Sequence, residues 1–184
     1  MKASVSASAV RLTFTNTGDV GAVFHVYDKH FLDAIPHRFA VGRGKSLSHS
    51  FTPRDDGAYD LFVLGPNGYH RAFVGIASSE SADRGLELEV KYDPEASRMR
   101  LRCTNSSSAA VDFVLADRAY GLDGTGTFAV PRGERIDVWF DLSPSGRWYD
   151  FELTAPSAPS FRRRVAGRME NGDPSISDPA MGQL

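Results

Sequence analysis

The sequence has little cysteine, no long apolar run and little net charge, and each of these shortages excludes a class of structure or function for this protein. Its single cysteine, Cys103, excludes an internal disulfide and a cysteine-based zinc site. No run approaches the roughly 18 apolar residues of a membrane-spanning helix. The 21 basic and 23 acidic side chains leave a formal net charge of -2, which excludes a nucleic-acid partner bound through bulk positive charge. The first residues lack the apolar core of an export signal, so we expect any such signal to lie outside this chain.

Apolar stripes at helical spacing are missing as well, and apolar residues instead alternate with polar ones. In residues 98–103 each arginine is followed by an apolar residue, and residues 135–138 repeat that alternation. This period of two is typical of strands that are buried on one face. Turn sequences rich in Gly, Pro, Asn and Asp recur between these segments. We therefore predict an all-β fold of antiparallel β-sandwiches.

The chain also repeats itself at a spacing of 89 residues. The segment 11–16 (RLTFTN) matches 100–105 (RLRCTN), and 39–44 (FAVGRG) matches 128–133 (FAVPRG). About 14 of some 50 aligned positions are identical, far more than chance gives. We predict two tandem sandwich modules, at 1–80 and 85–168, followed by an irregular tail at 169–184.

The two modules differ at their first strand. The second module begins with a clear alternating strand at 86–92, whereas most of its counterpart in the first module would fall before Met1. We therefore expect the first module to lack its first strand, or to replace it poorly with residues 4–8. On this interpretation the chain is part of a longer polypeptide.

One segment narrows the type of sandwich. Residues 55–61 (DDGAYDL) have the Asp-x-Gly-x-Tyr order of the tyrosine corner in immunoglobulin-like folds, where the tyrosine hydroxyl bonds back to the nearby backbone. Tyr59 holds that position in the first module and Tyr149 in the second. We predict an immunoglobulin-like fold in which both tyrosines are structural.

Several residues that suggest chemistry have a simpler structural interpretation. The five histidines, all in the first module, are His25, His30, His37, His49 and His70. Their spacing matches no zinc motif. Cys103 aligns with Phe14 at a core position, so we expect an inert buried thiol, and the run 162–164 of three arginines is expected to form a solvated strand edge. We predict no catalytic residue, no metal site and no cofactor in this chain.

Residues 59–75 predict a β-hairpin with a positive φ in its turn. The turn residues are Gly65, Pro66, Asn67 and Gly68. A functional interpretation places Tyr69 and Arg71 near the loop tip, in contact with a lipid headgroup or with another part of a larger protein.

This hairpin, together with 16–18 (NTG), 23–28 (VFHVYD) and 38–41 (RFAV), resembles the C-terminal domain of bacterial phosphocholine-preferring phospholipases C. The resemblance extends over almost the whole chain, because that family carries the domain as a tandem pair. The second module replaces the Gly-Pro-Asn-Gly turn with 155–158 (APSA), which argues against the turn as a required binding site.

The resemblance implies a parent enzyme that is secreted or periplasmic, exported in the folded state by the twin-arginine route. That enzyme would hydrolyse phosphatidylcholine to diacylglycerol and phosphocholine. Its nucleophile and metal belong to an N-terminal catalytic domain, and no family catalytic residue transfers to a position here. The expected partners are therefore that catalytic domain, within the same polypeptide, and a phospholipid surface.

Two functional hypotheses follow. In the first, this chain is a non-catalytic accessory region that packs on the catalytic domain and presents the enzyme to a lipid surface. In the alternative, it is a carbohydrate- or lipid-headgroup-binding module whose loops are lined by the aromatic and histidine side chains of the first module.

Overall fold

A computed structural model describes residues 1–182, and within them the chain forms fourteen β-strands and three short 3₁₀ segments. The first module contains β1 (Lys2–Val5), β2 (Val10–Thr15), β3 (Ala22–Asp28), β4 (His37–Val41), β5 (Ser46–Phe51), β6 (Ala58–Leu64) and β7 (His70–Ile76). The second contains β8 (Leu86–Asp93), β9 (Arg98–Asn105), β10 (Val111–Asp117), β11 (Gly126–Val130), β12 (Arg135–Asp141), β13 (Trp148–Thr154) and β14 (Arg162–Arg168). The 3₁₀ segments are Lys29–Phe31, Ser143–Ser145 and Pro179–Gly182. None of the helices in this part of the chain is long and apolar enough to cross a membrane.

Each module packs a three-stranded sheet against four strands of a second sheet. The order is β1-β2-β5 against β4-β3-β6-β7 in the first module, and β8-β9-β12 against β11-β10-β13-β14 in the second. The period-two alternation places Leu12 and Phe14 in one core and Leu101 and Cys103 in the other, all at 0% exposure. All paired strands are antiparallel, so the all-β sandwich prediction is confirmed. The narrower immunoglobulin-like assignment stays a prediction.

The two modules share one continuous eight-stranded sheet. Strands β7 and β14 pair antiparallel, which joins the four-stranded sheets in the order β11-β10-β13-β14-β7-β6-β3-β4. Ala72 pairs with Arg164 at the centre of this contact, so the modules are related by a pseudo-twofold axis between these two residues. The prediction that residues 162–164 form a solvated strand edge is wrong, because β14 is hydrogen-bonded to a neighbouring strand on both sides.

The first strand of the first module is present, which corrects the expectation that it is missing. Strand β1 pairs with β2 from Lys2 opposite Thr13 to Val5 opposite Val10. It has four residues, whereas the equivalent β8 has eight. The first module therefore has an edge strand of half the length of its equivalent in the second module.

One face of the shared sheet carries an ion pair that crosses the junction and, beside it, ion pairs within the second module. Arg162 lies 3.8 Å from Asp60 of the first module and 3.5 Å from Glu152 of its own module. Arg164 forms two hydrogen bonds with Asp150, one of them at 2.8 Å. Because strand neighbours point to opposite faces, Arg163 between them points the other way, into the protein.

The described part of the predicted irregular tail, residues 169–182, contains no strand and packs on the second module. The indole Nε1 of Trp148 donates to the Ile176 carbonyl at 3.2 Å, and the Tyr120 hydroxyl donates to Asp178 at 2.9 Å. Met169, which the domain prediction assigned to the tail, is buried in the core at 2% exposure. The last two residues of the predicted tail, Gln183 and Leu184, lie outside the described residues.

Candidate functional site

The predicted hairpin of β6 and β7 forms, and its turn contacts the second module. Asn67 and Gly68 have positive φ values of 56° and 69°, as the Pro-Asn-Gly sequence predicts. The Asn67 amide donates to the Glu170 carboxylate at 3.0 Å. A Cβ built on Gly68 would lie 2.8 Å from the Trp148 ring, so the turn packs closely against this indole. The turn is thus part of the contact between modules.

Arg71 lies inside the protein and not at a loop tip. The residue is only 4% exposed. Its guanidinium donates to the Tyr149 hydroxyl at 3.0 Å and to the Ala166 carbonyl at 2.8 Å. The Tyr69 ring is half-buried and lies 4.1 Å from the same guanidinium. A headgroup contact by Tyr69 and Arg71 does not agree with this position, because the guanidinium is already used to join the modules.

Arg163 repeats this arrangement on the other side of the pseudo-twofold axis. It is 5% exposed and donates to the Tyr59 hydroxyl at 2.9 Å and to the Val74 carbonyl at 2.6 Å. Tyr59 and Tyr149, predicted to bond to the backbone of their own corners, instead accept hydrogen bonds from the opposite module. Each module therefore completes the tyrosine site of the other.

Burial favours the protonated form of two tyrosines at the junction, Tyr59 and Tyr92. It raises the pKa of Tyr59, although the adjacent Arg163 acts in the opposite direction. Burial also raises the pKa of Tyr92, whose hydroxyl lies 2.5 Å from that of Tyr149. The hydroxyls of Tyr59 and Tyr92 therefore stay protonated at neutral pH and can donate hydrogen bonds.

A cavity of about 300 Å³ lies beside one of the two arginine–tyrosine pairs. Tyr59, Phe73 and Arg163 form part of its wall, and Ala3 and Val5 of strand β1 close another side. On the other side of the axis, Tyr92 contacts the Arg71–Tyr149 pair. The arginine–tyrosine and arginine–carbonyl hydrogen bonds are thus present on both sides of the axis, whereas a third tyrosine joins them on one side and a cavity lies beside them on the other.

A second feature is an exposed apolar loop at one end of the first module. Phe31, Leu32 and Ile35, between β3 and β4, are 60%, 61% and 84% exposed. Behind this loop lies a cavity of about 390 Å³ whose lining includes His37 and His49. The equivalent loop of the second module buries Leu122, and the tail covers that end of the sandwich. Sequence reasoning missed the exposed loop, although three large apolar residues outside any period-two segment were a signal for it.

His37 of β4 and His49 of β5 pack within an aromatic cluster. The His37 and His49 rings are 5.3 Å apart, and the His49 ring lies 4.9 Å from that of Phe51 and 5.2 Å from that of Phe39. His49 is half-buried and lies within strand β5. In residues 1–182 no three His, Cys, Asp or Glu side chains are grouped so as to hold a metal ion.

The remaining candidates have structural surroundings. Cys103 is 0% exposed, so its predicted burial is confirmed, and burial raises the pKa of its thiol to about 12. Of the predicted turn residues, Gly65 packs against the Phe24 ring and Pro66 accepts the Tyr69 N–H at 3.0 Å. The structure thus brings Tyr59, Tyr69 and Tyr149 to the module junction with Arg71, while His37 and His49 lie elsewhere.

Comparison with known proteins identifies the relatives of this chain. It is 40% identical over 95% of its length to the non-hemolytic phospholipase C of Pseudomonas aeruginosa, and 37% identical over 95% to that of Burkholderia pseudomallei. It is 27% identical over 96% of its length to the hemolytic phospholipase C of Pseudomonas aeruginosa. The chain spans 26%, 25% and 27% of these three relatives.

The family comparison matches both modules separately. The family described as bacterial phospholipase C, C-terminal domain, matches residues 2–76 and again residues 86–168. These two matches include every strand from β1 to β14. The chain therefore belongs to the family of bacterial phospholipase C C-terminal domains, which it carries as a tandem pair.

Proposed function

We propose that this chain is a non-catalytic accessory region of a secreted bacterial phospholipase C. The parent enzyme hydrolyses phosphatidylcholine to diacylglycerol and phosphocholine. The accessory region packs on the catalytic domain of the same polypeptide and brings that domain to a phospholipid surface. The share of the relatives that the chain spans, about a quarter, supports a role as one part of a larger enzyme.

The observation that carries the lipid-surface role is the exposed apolar loop between β3 and β4. Phe31, Leu32 and Ile35 fall within five residues, and each is at least 60% exposed. Side chains of this size gain about 1.5–3 kcal/mol each when fully removed from water. Lys29 and His30, at the base of the loop, suit contact with lipid phosphates. The loop therefore has the composition of a shallow insertion into a phospholipid interface.

The lipid-surface role is tested by flotation of the 184-residue chain with phosphatidylcholine vesicles. The double substitution Phe31→Ser and Ile35→Ser is expected to lower the partition coefficient between vesicles and water about tenfold or more, because it removes most of the apolar side-chain surface that can enter the lipid interface. Val20→Ser is the matched control, since Val20 is 77% exposed and precedes β3, at the other end of that strand. Equal partitioning of the three proteins would reject the lipid-surface role.

The non-catalytic role has its own assay. The purified chain is incubated with a chromogenic phosphocholine ester and with phosphatidylcholine vesicles, and phosphocholine release is measured. We expect no release above the uncatalysed rate. Turnover that scales with protein concentration would overturn this part of the proposal.

A specific observation also favours the alternative of a carbohydrate-binding module. His37, Phe39, His49 and Phe51 form an aromatic cluster, and His37, His49 and Phe51 line the 390 Å³ cavity. Aromatic faces of this kind can stack on sugar rings. Saturable glycan binding that is lost in Phe51→Ala and kept in the Phe31→Ser, Ile35→Ser double variant would support this alternative over the lipid surface.

A further inference from the structure

The two sides of the module junction differ chemically at one position. On one side three groups meet, because the Tyr92 hydroxyl lies 2.5 Å from the Tyr149 hydroxyl and Arg71 donates to both. On the other side Arg163 donates to the Tyr59 hydroxyl in the same way. Among the described residues no third hydroxyl meets this second pair; the 300 Å³ cavity lies there instead.

Strand register identifies the residue that stands in place of the third tyrosine. Tyr92 pairs with Met99 in the second module, and Val5 pairs with Val10 in the first. Val10 and Met99 are equivalent positions in the 89-residue repeat, and both are 0% exposed. Val5 therefore occupies the position of Tyr92. The smaller side chain leaves the space that the phenol ring fills in the second module.

The neighbouring edge-strand position enlarges the same cavity. Ala3 pairs with Leu12, and Val90 pairs with Leu101 at the equivalent position, so a valine in the second module corresponds to an alanine in the first. Both Ala3 and Val5 line the cavity. The cavity is thus explained by two large-to-small differences between the modules.

The cavity has an apolar wall and a polar end. Phe73, Leu86 and Leu88 supply apolar surface, and Tyr59 and Arg163 lie together at the polar end. The carboxylate of Asp83 also lines the cavity and already accepts hydrogen bonds from the Ile76 N–H at 2.7 Å and the Ser160 hydroxyl at 2.8 Å. A volume of about 300 Å³ is at the lower end of the range for small-molecule sites.

We propose that this cavity binds a phenol, that is, an aromatic ring that carries a hydroxyl group. The ring takes the place that Tyr92 occupies in the second module, and its hydroxyl meets Tyr59 and Arg163 as the Tyr92 hydroxyl meets Tyr149 and Arg71. Tyr92 is thus an intramolecular example of the ligand. A free small phenol and a tyrosine side chain of another polypeptide share this chemistry. The proposal is independent of the accessory role in a phospholipase C.

The test is a titration of the 184-residue chain with p-cresol, in which binding is measured from the NMR chemical shifts of the cavity residues. Toluene is the control ligand that lacks the hydroxyl. Tyr59→Phe is expected to weaken p-cresol binding about fivefold, the effect of one hydrogen bond of about 1 kcal/mol, and to leave toluene unaffected. N-acetyl-L-tyrosinamide in a parallel titration distinguishes the two sources: binding as tight as that of p-cresol favours a polypeptide tyrosine, and weaker binding a free phenol.

A cavity-filling variant gives a second test. Val5→Tyr is expected to abolish p-cresol binding and to raise the melting temperature by about 2–4 °C, whereas Val20→Tyr, at an exposed position, changes neither. The proposal is overturned if p-cresol does not bind saturably, if toluene binds as tightly, or if Val5→Tyr folds and still binds p-cresol. If Val5→Tyr does not fold, Tyr59→Phe is the deciding variant. The proposal is supported if this substitution weakens p-cresol binding and leaves toluene binding unaffected, and it is overturned if p-cresol binding does not weaken.

Discussion

His70 has surroundings that oppose its protonation. Burial and then the positive charge of Arg164 lower its pKa to about 4, and Asp150 offsets part of this effect. Arg71 and Lys29 add smaller effects in the same direction as Arg164. Its Nδ1 is buried without a hydrogen-bond partner among the described residues. The folded protein therefore holds a neutral imidazole at pH values at which the unfolded chain binds a proton.

Mild acid is expected to destabilise the protein through His70. Above pH 6.5, the ordinary pKa, the residue is neutral in both states and has no effect. Between pH 6.5 and about 4 the unfolded state binds a proton that the folded state lacks, so the free energy of unfolding falls, and below about pH 4 this contribution levels off. Melting temperatures from pH 7 to 4 should fall less in His70→Gln than in the original chain. His30→Gln, at an exposed histidine, is the control; if it flattens the profile as much as His70→Gln, this explanation is wrong.

Strands β7 and β14 each place one arginine into the junction. Arg71 and Arg163 donate to carbonyls of the opposite strand and to tyrosines of the opposite module. Buried acceptors that lose their donor cost about 1–3 kcal/mol each. These two strands therefore hold the modules together through side chains as well as through the backbone ladder.

The run of three arginines offers a matched comparison for this contact. Arg163→Met leaves the Tyr59 hydroxyl and the Val74 carbonyl without their donor, so we expect a loss of about 2–3 kcal/mol in the free energy of unfolding. Arg162→Met, one residue away on the partly exposed face, should cost less than about 1 kcal/mol. Urea unfolding measures both. Losses of equal size would show that the buried contact contributes no more than the surface pairs.

The whole molecule behaves as two cores that share one sheet. Neither β7 nor β14 is an edge strand while the modules are paired, and each would become one on separation. Separation would also expose two buried arginines to water and remove the arginine donors of the Tyr59 and Tyr149 hydroxyls. The cost of separating the modules therefore favours their unfolding together.

The distribution of aromatic residues makes this cooperativity measurable. Both tryptophans, Trp139 and Trp148, lie in the second module, and all five histidines lie in the first. Tryptophan fluorescence and histidine NMR signals are therefore separate probes of the two modules. We expect the same urea midpoint from both probes. Two resolved midpoints would contradict a single cooperative unit.

The sequence by itself determined the local features of this protein. Period-two alternation, the 89-residue repeat, the hairpin and the buried Cys103 all follow from side-chain patterns along a short stretch or between two copies of it. Such patterns are readable because a strand alternates its faces whatever its partners are.

The tertiary structure alone decided which strands meet and what lies between the modules. Pairing of β7 with β14 uses backbone groups that nearly every residue carries, so no side-chain pattern predicts it. That pairing turns residues 162–164 from an expected solvated edge into a central strand and sends Arg71 inward to Tyr149. The cavity beside Val5 exists for the same reason, because only the contact between modules brings Arg163 to Tyr59.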